Sequence, residues 1–240
     1  MFQLTLIGFL NGLTAALIVI FATIFSTIIL IRSLKNELAS LLRYGGFMGL
    51  FAGLLWLGPA ADFFSILLTG QNMDNSFGLY GILSYMWVGP AVILAILIGS
   101  KVTAPTKTKP LVGITTILAV IFEFFLFFFT MDLFEFHNPV NTGEDLIDAN
   151  FIPLSLGFIL IAIFIGLIFI FCGVGSLLMA LKSTGAVRKK GLYLATSFFL
   201  FCIVAVFDAL FAPDILLFIV RFGMVACAFL LYYGVKPIEL

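Results

Sequence analysis

The 240-residue chain is 63% hydrophobic and only 10% charged, with a mean hydropathy of +1.26. A soluble domain carries about 25% charged residues, so this composition excludes one. The twelve basic and twelve acidic side chains cancel, and the informative quantity is where each sign lies.

A bilayer core of about 30 Å takes about 20 apolar residues per helix. Seven such runs can be read, at 5–31, 46–69, 79–100, 110–131, 153–181, 191–212 and 214–235. The short alternating segments of a transmembrane barrel do not occur. The expected fold is all-α: one polytopic seven-transmembrane-helix bundle over residues 1–240. Arg32, Lys35 and Arg43 follow the first run, Lys101, Lys107 and Lys109 the third, and Lys182, Arg188, Lys189 and Lys190 the fifth. The other connections hold only Asp74, Asp132, Glu135, Glu144, Asp145, Asp148 and Asp214. The positive-inside rule then puts the N-terminus outside and the C-terminus in the cytoplasm of a multi-pass cell-membrane protein. The first run lacks a basic n-region and is followed by positive charge, so it reads as a retained anchor rather than a signal peptide.

In the first helix, Asn11 and Thr14 sit in the outer part. The second opens on Gly45, Gly49 and Gly53, a four-residue repeat that lets another backbone approach closely. It continues as Trp56-Leu57-Gly58-Pro59, and the third helix repeats the pattern as Trp87-Val88-Gly89-Pro90. These are the two tryptophans of the chain. Each proline removes an amide donor and strands the carbonyl four residues back, so Pro59 and Pro90 are expected to kink their helices at one level. The fourth helix is dense in phenylalanine around Glu123. The long connection at 132–152 holds His137, Phe134, Phe136 and most of the outer acids, and reads as a solvated acidic loop, with a lid as the alternative. The basic connection at 182–191 fixes topology or meets anionic lipid headgroups or a partner protein.

Cys172, Cys202 and Cys227 all lie in spanning runs, so no disulfide framework is implied. The absence of a lysine in the seventh helix removes the attachment point for a retinal Schiff base. One histidine and no paired thiolates argue against haem or a transition-metal centre, so no cofactor is expected. No nucleophilic constellation is visible and an enzyme is not expected. Nor is a nucleic-acid partner; membrane lipids and a protein partner are.

The candidate site is a set of buried polar residues: Asp62, Glu123, Asp208, Arg221 and Asn11. Charge inside a span is costly and normally faces protein or water with a partner. Counting 1.5 Å per residue from the nearest outer helix end puts the four ionisable groups about 7–13 Å down, in one slab of membrane. The Ala212–Asp214 turn returns Arg221 toward Asp208. Two explanations stay open. Asp208 and Arg221 form a buried pair while Asp62 and Glu123 are protonated and hydrogen-bonded, or the groups line an outward pocket suited to a cation, an amine or protons.

Three segments, DLIDANFIP at 145–153, KSTGAVRKK at 182–190 and FDALFAP at 207–213, resemble those of uncharacterised seven-helix integral membrane proteins of archaea. The likeness covers mainly the C-terminal half and implies the helical fold without an activity. The expected function is a receptor-like or ligand-binding membrane protein with an outer polar pocket. The alternatives are a cation- or proton-coupled transporter or channel, and an accessory subunit of a larger membrane complex.

Overall fold

A computed structural model describes residues 4–34, 40–210 and 215–235. The Ala212–Asp214 break, Lys35 and Lys236 lie outside them. Helix α1 spans Leu6–Leu34, α2 Ser40–Leu54, α3 Leu57–Thr69, α4 Leu79–Tyr85 and α5 Val88–Thr103. A 3-10 turn at Pro105–Lys107 leads into α6, Thr108–Phe128, and the single turn α7, Thr130–Leu133. Strands β1, Phe134–His137, and β2, Asp148–Phe151, follow. Then come α8, Leu156–Ile168, a π-helical turn at Phe169–Val174, α9, Gly175–Leu181, α10, Gly185–Leu210, and α11, Ile215–Val235. Six of the resulting helical segments are long and apolar enough to cross a membrane, and the α2–α3 pair makes seven if it is one broken span.

The two Trp-x-Gly-Pro motifs each break a helix. Trp56 leaves the helix at φ −97°, ψ 14°, and Trp87 does so at φ −95°, ψ −8°. In both, the helix restarts on the tryptophan carbonyl, which accepts from the amide of Ala60 or Ala91 at 3.1 Å. Without an N–H on Pro59 or Pro90 the ladder cannot run through. The α2–α3 bend is 51°, whereas α4 and α5 remain one span. The two broken helices lie side by side: α3 packs on α4 and α2 on α5, and Phe51 stacks on Trp87 with ring centroids 5.9 Å apart.

Glycines set how close α1 and α2 come. A Cβ on Gly53 would fall 2.0 Å from Ala22 Cβ, and one on Gly49 would fall 2.9 Å from Ser26 Oγ. The α2 repeat is therefore a contact surface between backbones. The π-helical turn packs on α5 in a similar way. A Cβ on Gly99 would meet the Phe171 carbonyl at 2.8 Å, and Cys172 Sγ donates to the Ala95 carbonyl at 3.1 Å.

Two connections differ from the sequence reading. The segment at 132–152 is not a solvated loop. It folds into an antiparallel hairpin in which Phe134 faces Phe151 and His137 faces Asp148. Leu133, Phe134, Leu146, Ile147 and Phe151 are buried. Phe134 and Phe151 pack on Tyr85, at 4.9 and 4.8 Å between centroids. Burial of these apolar groups holds the segment against the bundle, while Asp132, Glu135 and Asp145 stay exposed. The basic stretch at 182–191 is mostly the first turns of α10, which begins at Gly185. Arg and Lys are good helix formers, so the charge does not interrupt the helix.

Gly53→Leu is expected to destabilise the protein by about 1–3 kcal/mol through overpacking against Ala22. Gly113→Ala, where a Cβ meets nothing within 4 Å, should be neutral or slightly stabilising, because alanine is the better helix former. Thermal unfolding in detergent checks both.

Candidate functional site

The polar residues singled out from sequence go to three separate places, and the described partners of the three carboxylates do not overlap. Asp62, on α3, is fully buried. Its carboxylate accepts from Asn72 Nδ2 at 2.9 Å and from the amides of Met73 and Ile147 at 2.8 Å each. Three N–H donors and no acceptor among the described residues are the partners of an ionised carboxylate, and differ from the protonated group in the first of the two explanations left open by the sequence. Asp62 thereby ties together the connection after α3 and the end of the long hairpin segment. Asn72 extends the tie, accepting from the Gly143 amide at 2.7 Å and donating to the Asp145 carbonyl at 2.8 Å. Gly143 sits at φ +84° with a would-be Cβ 2.3 Å from the Gly70 carbonyl, so no other residue fits there. Asn11 is buried on α1, one residue before Gly12, where α1 lies against the Phe63 ring of α3.

Glu123, on α6, caps a broken helix from the side. Its Oε1 accepts from the Gly89 amide at 3.2 Å, one of the N–H groups freed at the start of α5. Its Oε2 is buried and has no partner among the described residues. Gly89, Pro90, Ala119 and Phe124 surround it in a shallow cleft between α5 and α6.

Asp208 and Arg221 do meet. Arg221 Nε donates to Asp208 Oδ1 at 2.7 Å, with 6% of the arginine side chain and 22% of the aspartate exposed. The pair joins α10 to α11, which pack along each other. Tyr80, Tyr85 and Asp148 lie within electrostatic reach of it. These three were not named from sequence. Asp148 was visible only as one of several loop acids, and the tyrosines stood in an apolar run without a mark of their own. At Asp148, burial pushes the carboxyl above the ordinary range. Arg221, the Asn150 amide at 3.0 Å, the Ala149 amide and His137 oppose that shift. His137 stands 3.8 Å from Glu135 at the exposed end of the hairpin. Asp145 is engaged by the Thr5 hydroxyl and Glu144 by Asn141 at 2.7 Å.

Beneath the pair, the helices surround a chamber of about 160 Å³. Helices α1, α2, α5, α8, α10 and α11 supply most of its wall, with Trp56 at the α2–α3 break. Phe151, Tyr85 and Asp208 form the end under the hairpin, and Ser26, Ile29 and Tyr232 lie toward the opposite end. The wall is largely aliphatic and aromatic. Ser197 lines it with its hydroxyl already donated to the Cys227 carbonyl at 3.0 Å. Trp56 is 5% exposed, and its Nε1–H has no partner among the described residues.

No protein-family model matches this chain, and no curated protein does. The chain is a helical membrane protein whose bundle surrounds an apolar chamber under a folded hairpin.

Arg221→Leu alone is expected to cost about 3–5 kcal/mol, because it strands the Asp208 charge. Asp208→Asn combined with Arg221→Leu should cost less than the two single changes summed; strict additivity in a thermal-unfolding cycle would contradict the pairing. Asp62→Ala strands two amides and an amide side chain and should cost about 3 kcal/mol or more. Exchange at the Met73 and Ile147 amides should rise roughly tenfold or more. For Asp148 the fold favours the protonated acid. Its contribution to stability is complete below about pH 4, the ordinary aspartate value, and is withdrawn as pH climbs through the raised value. Asp148→Asn should flatten that part of the stability–pH curve.

Proposed function

We propose that this protein is a receptor-like, ligand-binding membrane protein, and that its ligand is lipophilic and sits in the central chamber. The observation that carries the reading is the chamber itself. Core packing normally leaves few voids larger than a water molecule, and an engineered apolar cavity of about 150 Å³ stays dry and binds benzene. An apolar cavity of that size between the helices is unfavourable unless something fills it. Its lining suits an apolar molecule far better than the cation or amine that a cluster of carboxylates would select. Asp62 and Glu123 serve other groups, which removes two of the three negative charges from such a site.

The charge asymmetry of the connections supports a cytoplasmic basic face, with the hairpin and the ion pair toward the outside. In that orientation the ligand lies under an outer cap, and a response reaches the cytoplasm through the helices and a separate partner. The likeness to seven-helix proteins of archaea fits this reading without adding an activity to it. One observation favours a transporter instead: α3 and α5 both begin at breaks inside the membrane, as the discontinuous helices of secondary transporters do. A coupled transporter also needs a polar path to the other face, and the chamber wall toward the basic side offers chiefly Ser26.

Protein isolated in mild detergent without added lipid should retain a small apolar molecule at about one per chain, detectable by native mass spectrometry. Ala205→Phe, which fills the chamber from α10, should abolish retention while leaving the protein folded. Retention unchanged by that substitution would place the molecule elsewhere and defeat the reading.

A further inference from the structure

Resting on the chamber reading, the geometry points to a ligand class: we infer that the chamber takes a single-chain lipid with an uncharged hydroxyl head, such as a long-chain alcohol. The head meets Asp208 and the chain runs past Trp56 toward Ser26.

Shape gives the chain. On α1 the chamber is lined from Ile18 to Ile29, and on α10 from Ser197 to Ala209. The intervals are eleven and twelve residues, or about 16–18 Å along the helix axes. About 160 Å³ spread over that length makes a long, narrow space, which suits one extended alkyl chain.

Chemistry gives the head. The polar groups at the hairpin end of the chamber are Asp208 and Tyr85, whereas Arg221 contacts Asp208 from outside the lining. A ligand approaching along the chamber therefore meets a carboxylate. A fatty acid would bring a second carboxylate against it, and like charges at close range in a low-dielectric site repel strongly. An amine would add a second cation beside Arg221, which already neutralises Asp208. A hydroxyl donates to the carboxylate without disturbing the pair. Lower down, the Trp56 N–H gives the chamber one donor with no protein acceptor among the described residues, where an ether, carbonyl or second hydroxyl oxygen on the chain gains a partner.

The chain carries two tryptophans, so Trp87→Phe leaves Trp56 as the sole emitter and a reporter placed in the chamber wall. In nanodiscs of saturated phosphatidylcholine, this variant is titrated with 6-bromododecan-1-ol, 6-bromododecanoate and 6-bromododecane, whose mid-chain bromine quenches a tryptophan it touches. The alcohol should quench at about tenfold lower concentration than the carboxylate, a difference of about 1.4 kcal/mol. Asp208→Asn should abolish the preference for the alcohol, since the carboxylate that repels the acid is gone; a preference that persists would overturn the head-group inference. If Asp208→Asn does not fold, Ala205→Phe serves in its place and should abolish quenching by all three. Equal quenching by alcohol, acid and hydrocarbon would overturn the head-group inference and leave the chamber reading intact. Quenching by none, or quenching that survives Ala205→Phe, would overturn both.

Discussion

The contact between Arg221 and Asp208 constrains the rest of the hairpin-side architecture. A guanidinium held at 6% exposure inside a helical bundle must be matched by a negative charge, because moving either ion alone into a low-dielectric interior costs several kcal/mol. That requirement fixes the facing rotation of α10 and α11. It also explains the company the pair keeps. Tyr80 and Tyr85 from α4 and Asp148 from β2 set polar groups around the pair, while the Phe134–Phe151 platform packs on Tyr85 from above. The hairpin is thus part of the bundle rather than an appendage to it.

A second constraint acts on the helices below. Both Trp-x-Gly-Pro motifs interrupt the backbone ladder and free amides in a medium with no water to satisfy them. Glu123 answers one of these at Gly89, from a neighbouring helix. The broken pair α2–α3 turns by 51° and leaves Trp56 on the chamber wall. The glycine contacts of α2 with α1 hold those two helices close along one wall of the chamber.

The sequence revealed the coarse architecture because transfer energies act on every residue of a span, and seven apolar runs separated by sign-segregated charge survive any local detail. The Asp208–Arg221 pairing was legible for the same reason, as two expensive charges thirteen residues apart on consecutive helices. What was not legible depends on long-range register. Asp62 looked like a member of a pocket, because nothing local shows that Met73 and Ile147, eleven and eighty-five residues away, aim their amides at it. The hairpin escaped notice because its four-residue strands are too short for a period-2 signal, and their acids masked the buried Phe134, Ile147 and Phe151. The chamber is a property of volumes left between helices, which no single run of residues records. The basic start of α10 read as a loop because charge was taken for a boundary, although lysine and arginine favour helix.

The most direct test of a ligand-filled chamber is an experimental density map of the protein in nanodiscs, isolated without added lipid. The account predicts a continuous rod of density from beneath Asp208, past Trp56, toward Ser26, one alkyl chain wide. A chamber closed by inward rotation of its own side chains, with Trp56 hydrogen-bonded to protein, would contradict it.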